Sequence, residues 1–207
     1  MAQLDLFSFS HDEASPSPQL GSRGVEQASA QTQAQASVEQ THVLHGIAIP
    51  DPVEPVGRIR HGFDAIVATD GSCSGNPGPG GWAWVEQITG ARDSGGSSRT
   101  TNNIMELTAL YQALQHIDPA ASLLLRIDSQ YVLNTVTKWA PSWRKRGWKK
   151  ADGKRPLNLD IIQPLLELWE SRTGRTETEW VKGHNGDAGN ELVDSMAVEQ
   201  TRAHSAR

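Results

Sequence analysis

The sequence is poor in cysteine and contains no long apolar run. Cys73 is the single cysteine among 207 residues, which excludes an internal disulfide and a zinc site built from several cysteines. No apolar stretch approaches the roughly 20 residues that span a bilayer. The first residues also lack the basic start and the apolar stretch of about 7–15 residues that mark a secretory signal. We therefore expect a reduced, cytoplasmic protein with no membrane partner.

The sequence has no overall excess of basic residues either, because its formal net charge is −5. The distribution of charge, however, matters more than the total for binding a polyanion. Residues 138–155, called the basic segment below, contain eight basic side chains against Asp152 alone. These are Lys138, Arg144, Lys145, Arg146, Lys149, Lys150, Lys154 and Arg155. The basic segment therefore predicts a nucleic-acid contact on an otherwise acidic protein.

The first 60 residues differ in composition from the rest. Residues 8–40 are rich in Gln, Ala and Ser and lack helical or strand periodicity. Such a stretch buries too little apolar surface to offset its ordering entropy, so we expect disorder there. We predict a tail over residues 1–60 and one folded domain over residues 61–207.

Apolar periodicity within that domain predicts a mixed α/β fold. We expect strands at residues 64–69, 82–87, 123–127 and 177–181, and helices at 103–117, 159–169 and 190–201. A further strand should follow Gly90, but the run at residues 95–98 (GGSS) has poor strand propensity and predicts that this third strand is weak. A hairpin followed by strand–helix alternation implies an antiparallel edge on an otherwise parallel sheet.

Four acidic residues stand in unusual places within these elements. Asp70 interrupts an apolar strand before its turn, and Asp128 ends the most apolar strand of the chain. Glu106 and Asp194 lie on helices, in rows otherwise occupied by apolar residues. A carboxylate facing apolar surroundings is costly unless it is paired, and oxygen ligands of this kind favour magnesium or manganese. The alternative is that each acid is an ordinary helix cap or ion-pair partner.

Four short segments carry a family pattern in a fixed order. They are residues 69–81 (TDGSCSGNPGPGG), 101–107 (TNNIMEL), 128–132 (DSQYV) and 181–184 (VKGH). Together they resemble the signature segments of type 1 ribonuclease H, and the resemblance extends from about residue 63 to 202. It implies an α/β fold with a five-stranded mixed sheet, in strand order 3-2-1-4-5, flanked by helices.

The resemblance also implies which residues perform the reaction. It implies a metal-binding set formed by Asp70, Glu106, Asp128 and Asp194, called the acid quartet below. It implies two Mg²⁺ ions, with Mn²⁺ as a substitute, that activate water and stabilise the leaving oxygen. His184 corresponds to a loop histidine that moves protons and helps product release, and flanking glycines would let this loop move.

Further residues are expected to contact the substrate by the same resemblance. Residues lining a groove that reads 2′-hydroxyls and minor-groove edges would be Cys73, Asn76, Asn102, Asn103 and Gln130. A DNA-phosphate pocket would comprise Arg99, Thr101 and Asn158. The basic segment resembles the family's basic protrusion, in which Trp139, Trp143 and Trp148 alternate with cations such as Lys145, Arg146 and Lys149. We expect some of these tryptophans to support the protrusion while the cations face DNA.

A second possible site lies at the start of the chain. The residues Gln3, Leu4, Asp5, Leu6 and Phe7 resemble the short peptide by which bacterial replication and repair proteins dock on the sliding clamp. An apolar cluster on a disordered tail suits a peptide that folds on binding. The alternatives are a chance match and an apolar start that packs on the domain.

The function implied is a monomeric endonuclease that hydrolyses the RNA strand of RNA–DNA hybrids, leaving 5′-phosphate and 3′-hydroxyl ends. Two alternatives stay open: a non-catalytic hybrid-binding module, and a related nuclease that acts on other DNA structures. The complete acid quartet argues against the first, and the Gly-Asn-Pro-Gly turn at residues 75–78 with Asn102 and Asn103 favours RNA over the second.

Overall fold

A computed structural model describes the chain at residues 43–44, 47–48, 54–183 and 186–205. Its contacts divide the chain into two units, residues 1–49 and 50–207. In the first unit, Val43–Leu44 pairs antiparallel with Ile47–Ala48. All the other described elements belong to the second unit.

A five-stranded mixed sheet forms the centre of the second unit. Its strands are β1 (Ala65–Cys73), β2 (Gly78–Glu86), β3 (Arg92–Thr100), β4 (Leu123–Ile127) and β5 (Thr176–Trp180). The spatial order is β3-β2-β1-β4-β5, which confirms the predicted order 3-2-1-4-5. Strands β1, β2 and β3 pair antiparallel, whereas β4 runs parallel to both β1 and β5. The predicted antiparallel edge is therefore present.

Helical elements connect and flank the strands. They are α1 (Asn102–His116), α2 (Gln130–Asn134), a π-helix (Thr135–Trp139), α3 (Ala140–Lys145), α4 (Leu159–Ser171) and α5 (Ala188–Ser205). Thr101 caps α1, where its side chain accepts a hydrogen bond from the backbone of Ile104, and Ser129 caps α2 in the same way. Within the described residues, no helix has both the length and the apolar character to cross a membrane.

The two faces of the sheet bury different side chains because consecutive strand residues point to opposite faces. On one face, Val67 and Leu125 pack with the apolar rows of α1 and α4 in the larger core cluster. On the other face, Ala68 and Val85 pack with α5 in a smaller cluster. The carboxyl ends of β1 and β4, which are parallel neighbours, lie together at one edge of the sheet.

Strand β3 differs from its prediction. The run at residues 95–98 lies within a nine-residue strand, so its low propensity does not interrupt the strand, although the pairing with β2 shifts register between Gly78 and Gly80. Gly95 packs closely on β2, because a side chain there would lie 2.7 Å from the ring of Trp82. The large ring on β2 occupies the space that the glycine leaves, and strand propensity scales do not include such pairs.

Residues 56–60, called the entry segment below, lie against the folded unit. Val56 packs on the cluster beneath α5 and exchanges two 2.8 Å hydrogen bonds with Gln87, one from the backbone N–H of Val56 and one from the side-chain amide of Gln87. Arg58 pairs with Glu179 at 3.3 Å on β5. Packing thus extends a few residues before the predicted start of the domain at residue 61.

Candidate active site

Asp70 lies on the central strand β1, half-buried near its carboxyl end. Its Oδ1 accepts a 2.7 Å hydrogen bond from the backbone N–H of Gly71. Burial, together with the negative charges of Asp128, Asp194 and Glu106, raises the pKa of Asp70 to about 8. Like charges have this effect only at short range. The fold therefore brings the four acids of the quartet into one electrostatic neighbourhood.

Glu106 reaches that neighbourhood because α1 packs closely on β1. A side chain at Gly71 would lie 2.2 Å from the backbone nitrogen of Glu106, so only glycine permits this approach. The Glu106 carboxylate accepts hydrogen bonds from Asn102 Nδ2 at 2.8 Å and from Ser129 Oγ at 2.7 Å. Burial raises the pKa of Glu106 and the charge of Asp128 adds to it, although both hydrogen bonds oppose the shift.

Asp128 directly follows β4 and Asp194 lies on α5. Asn190, one turn before Asp194 on the same helix, directs its Nδ2 to Asp128 Oδ2 at 3.4 Å. Trp180 donates from Nε1 to the backbone oxygen of Asp128 at 3.2 Å. Helix α5 therefore supplies one acid of the quartet and contacts another.

The donor set of the quartet suits a hard divalent cation, since all its ligands are carboxylate oxygens. In the described part of the chain, no three Asp, Glu, His or Cys side chains stand close enough to ligate one ion. A half-buried carboxyl with a raised pKa marks a place short of positive charge. A divalent cation would supply that charge, and the all-carboxylate donor set suits one by its chemistry.

The predicted groove residues lie at the same edge of the sheet. The thiol of Cys73 is directed at the backbone oxygen of Gly75 at 2.8 Å and so closes the β1–β2 turn. Asn76 is exposed on that turn, Asn103 on the first turn of α1 and Gln130 at the start of α2. Asn102 instead bonds to Glu106, so it positions an acid of the quartet.

The tryptophans of the basic segment border an apolar cleft of about 480 Å³. The cleft is lined by Asn103, Tyr131, Trp139, Trp143, Arg146, Lys150, Ala151, Pro156, Leu157 and Asn158. Trp139 is 38% exposed and stacks on Trp143, with ring centroids 6.1 Å apart. Trp143 and Trp148 pack against the main core. Two tryptophans therefore support the segment and one faces outward, whereas the contact of the cations with DNA stays a prediction.

The cations of the basic segment differ in whether other residues of the chain hold them by hydrogen bonds. Lys145 and Lys149 are exposed, whereas the guanidinium of Arg146 bonds to Ser142 Oγ at 2.7 Å and to the backbone oxygen of Lys149 at 3.2 Å. Of the three residues expected to form a phosphate pocket, Asn158 lines the cleft. Arg99 and Thr101 are not among the residues that line it; Arg99 is exposed at the end of β3, and Thr101 caps α1.

Comparison with known proteins decides the family. The profile of the RNase H family matches residues 63–202. The chain belongs to the ribonuclease H family. The ribonuclease H of Maricaulis maris is 48% identical over 136 residues, covering 64% of this chain and 90% of that protein. The ribonuclease H of Tropheryma whipplei is 47% identical over 148 residues, covering 70% and 88%.

Solved structures agree with this assignment. LC9-RNase H1, described as a type 1 RNase H with the type 2 active-site motif, is 28% identical with a TM-score of 0.56, covering 68% of this chain and 74% of that one. A foamy viral protease-reverse transcriptase, solved with an RNA/DNA hybrid, is 17% identical with a TM-score of 0.59, covering 78% and 24%. The latter likeness concerns the fold alone. The chain is thus a ribonuclease H enzyme, a family whose members generally use a divalent metal ion.

Several residues that contact the acid quartet or the cleft of this ribonuclease H were not predicted. Ser129 and Asn190 bond to Glu106 and Asp128, and Tyr131 lines the cleft and lies 3.4 Å from Asn158 Nδ2. Two of them had a signal in the sequence: Ser129 follows Asp128 directly, and Asn190 precedes Asp194 by four positions, which places both on one helix face.

Two predicted sites fall outside the described residues. His184, the expected proton-transfer residue, and the peptide formed by residues 3–7 both lie there. Their roles remain predictions from the sequence.

Proposed function

We propose that this ribonuclease H hydrolyses the RNA strand of RNA–DNA hybrids with two Mg²⁺ ions, or Mn²⁺ in their place, held by Asp70, Glu106, Asp128 and Asp194. The observation that carries the proposal is the half-buried carboxyl of Asp70 on β1, whose pKa is raised by its burial and by the charges of the other three acids of the quartet. Acids from β1, α1, the end of β4 and α5 have no structural reason to share a half-buried site. A reaction that depends on bound cations would explain why these acids share a site.

The residues around the quartet would keep it ready for the ions. Asn102 and Ser129 fix the Glu106 carboxylate by hydrogen bonds of 2.8 and 2.7 Å, and Asn190 holds Asp128. When bound, the ions would supply charge that activates a water and stabilises the leaving oxygen. Hydrolysis would add water across the P–O3′ bond, leaving a 5′-phosphate and a 3′-hydroxyl. His184 is proposed to move protons in this reaction.

Substrate recognition would divide between the two strands of the hybrid. Asn76, Asn103 and Gln130 are exposed beside the quartet, with polar groups suited to 2′-hydroxyls, which distinguish RNA from DNA. Cys73 would contribute through the shape of the turn that it closes. The exposed cations of the basic segment would neutralise phosphates of the DNA strand, and Trp139 would stack on its sugars or bases. Arg99, Thr101 and Asn158 would lie nearest its phosphates.

A cleavage assay tests this function. A fluorescently labelled RNA–DNA hybrid, double-stranded RNA and double-stranded DNA are incubated with the full chain, with Mg²⁺, with Mn²⁺ and with EDTA. We expect cleavage of the hybrid alone, abolished by EDTA and restored by either metal, with products that phosphatase can dephosphorylate at their 5′ ends. Binding without cleavage would favour a hybrid-binding module, and cleavage of DNA would favour a related nuclease.

We propose in addition that residues 3–7 dock on the bacterial sliding clamp, with the chain between them and the entry segment acting as a tether for a monomeric catalytic domain. A flexible linker of about 50 residues would span roughly 40 Å on average, and such a tether would raise the local concentration of the enzyme near DNA. Deletion of residues 3–7 should abolish pull-down of the clamp and leave hydrolysis of free hybrid unchanged. Replacing Leu6 and Phe7 by alanine should do the same. Clamp binding that survives both changes would end this proposal.

A further inference from the structure

A fully buried arginine lies beside the proposed active site. Arg126 is on β4, two residues before Asp128, and its side chain is 0% exposed. It points to the face of the sheet covered by α5, since its partner in register is Ala68 of the cluster there. A buried charge is costly unless carboxylates and hydrogen bonds compensate it. Its partners therefore indicate what this residue holds in place.

Those partners come from four distant parts of the chain. Arg126 Nε donates to Glu179 Oε2 on β5 at 3.1 Å. Nη1 donates to the backbone oxygen of Arg58 at 2.8 Å and to Gln87 Oε1 at 3.0 Å. The same Nη1 lies 3.8 Å from Asp187 Oδ2. Arg126 thus ties β5, the end of β2 and the entry segment to the residue just before α5.

Asp187 carries this connection into α5. Its Oδ1 accepts a 3.0 Å hydrogen bond from the backbone N–H of Asn190, and its backbone oxygen accepts one of 2.9 Å from Glu191. One carboxylate therefore caps the helix and faces the buried cation. Asn190 in turn contacts Asp128, and Asp194 lies one turn further along α5.

We propose that Arg126 is a positioning residue for hydrolysis: through Asp187 it fixes the start of α5, and so places Asp194 and Asn190 relative to the other acids of the quartet. The proposal rests on the proposed function of the quartet. It assigns the arginine a role in metal loading and turnover without contact to substrate. Mutation of a residue that orients metal-binding side chains typically lowers metal affinity or activity by about 10- to 100-fold.

Full-length Arg126→Met, Arg126→Lys and Asp187→Asn test the proposal. We expect Arg126→Met to lower kcat about tenfold and to raise the Mg²⁺ concentration for half-maximal rate several-fold, with KM for hybrid within about twofold. Arg126→Lys keeps the charge but has one donor group in place of the guanidinium fork, so its effect should be intermediate. Asp187→Asn keeps a cap oxygen and loses the charge, so its effect should be smaller and not additive with Arg126→Met.

Arg172→Met is the matched control. Arg172 is half-buried, unlike the fully buried Arg126, and its guanidinium bonds to Thr176 Oγ1 and to the backbone oxygens of Asp118 and Ala121, at the opposite end of β4 and β5. Its loss should lower the thermal midpoint and leave kcat and the Mg²⁺ dependence within about twofold. The same pattern in Arg126→Met and Arg126→Lys would reduce Arg126 to a structural residue and overturn the proposal.

Hydrogen exchange separates this proposal from the proposed function. In the absence of metal, the amides of Asn190 and Glu191 should exchange faster in Arg126→Met and Asp187→Asn than in the wild type or Arg172→Met. Unchanged exchange would overturn the anchoring of α5 even if the wild type cleaves hybrid. A wild type that fails to cleave hybrid would instead remove the proposed function, and exchange would still decide whether Arg126 holds α5.

Discussion

The acid quartet and the basic segment gather charge in opposite ways. The acids come from β1, α1, the end of β4 and α5, and only the fold brings them together. The cations are neighbours in sequence between residues 138 and 155, and several, including Lys145 and Lys149, are exposed. One charge cluster is created by tertiary structure, and the other is present in the unfolded chain.

This difference determines what each region can do. Burial and the neighbouring negative charges both raise the pKa of Asp70, so the half-buried quartet is suited to hold cations in a fixed arrangement. Exposed cations are screened by salt beyond about 8–10 Å and are suited to attract a polyanion. A change in the quartet should therefore affect the chemical step, and a change in the basic segment should affect binding.

Asp70→Asn should show the largest effect. Removing this carboxylate removes a proposed ligand of the ions, so we expect kcat to fall by on the order of a thousandfold or more. KM for hybrid should stay within a fewfold of the wild type, because the basic segment is intact. Steady-state kinetics on a labelled hybrid measure both constants.

The control for that prediction is Asp118→Asn, which changes an exposed acid in the loop before β4. It should leave kcat within about twofold. Near-normal turnover in Asp70→Asn, or a comparable loss in both variants, would contradict a special role for the quartet.

The quartet could be predicted from the sequence because each acid stands in an apolar context of strand or helix. Asp70 and Asp128 follow apolar runs of neighbouring parallel strands, whose carboxyl ends meet at one edge of the sheet. The local pattern singled out each acid, and the resemblance to ribonuclease H implied that the four form one metal-binding set. The strand order came from the resemblance and is confirmed.

What the sequence did not predict depends on contacts between distant residues. The run 123–127 (LLLRI) was read as a buried strand, but nothing local indicates that Arg126 meets Arg58, Gln87, Glu179 and Asp187. Strand β3 was expected to be weak because its glycines were judged without the ring of Trp82. In both cases the deciding partner lies on another element.

The quartet should also reduce stability at neutral pH without metal. Because the pKa of Asp70 is raised to about 8 in the folded chain, the folded state binds this proton more tightly than the unfolded state. Protonated Asp70 contributes its full stabilisation at and below its unfolded pKa of about 3.8. As the pH rises from there to about 8, the free energy of unfolding falls by at most about 1.4 kcal/mol per pH unit. Asp70→Asn should escape that loss and gain roughly 2–4 kcal/mol over wild type between pH 5 and pH 8. Urea unfolding in EDTA measures the difference.

Asp64→Asn provides a control of opposite sign. Hydrogen bonds from Ser122 lower the pKa of the Asp64 carboxyl, so its contribution is present above the unfolded pKa and is lost as pH falls. This variant should be less stable than the wild type at neutral pH, with a difference that vanishes in acid. A stability difference for Asp70→Asn that does not change with pH would refute the raised pKa of Asp70 in the folded chain.

The basic segment should give the smallest and most salt-dependent effect. Lys145→Ala combined with Lys149→Ala removes two exposed cations, so the slope of log affinity against log salt should decrease by roughly 1.5 to 2. At about 0.1 M salt we expect KM for hybrid to rise up to about tenfold while kcat changes little, because the quartet is untouched. Arg202→Ala, an exposed arginine near the end of α5, should change neither the slope nor KM. If the double variant lowered kcat at saturating hybrid as strongly as it raised KM, the basic segment would take part in the chemical step and the division between the two regions would not hold.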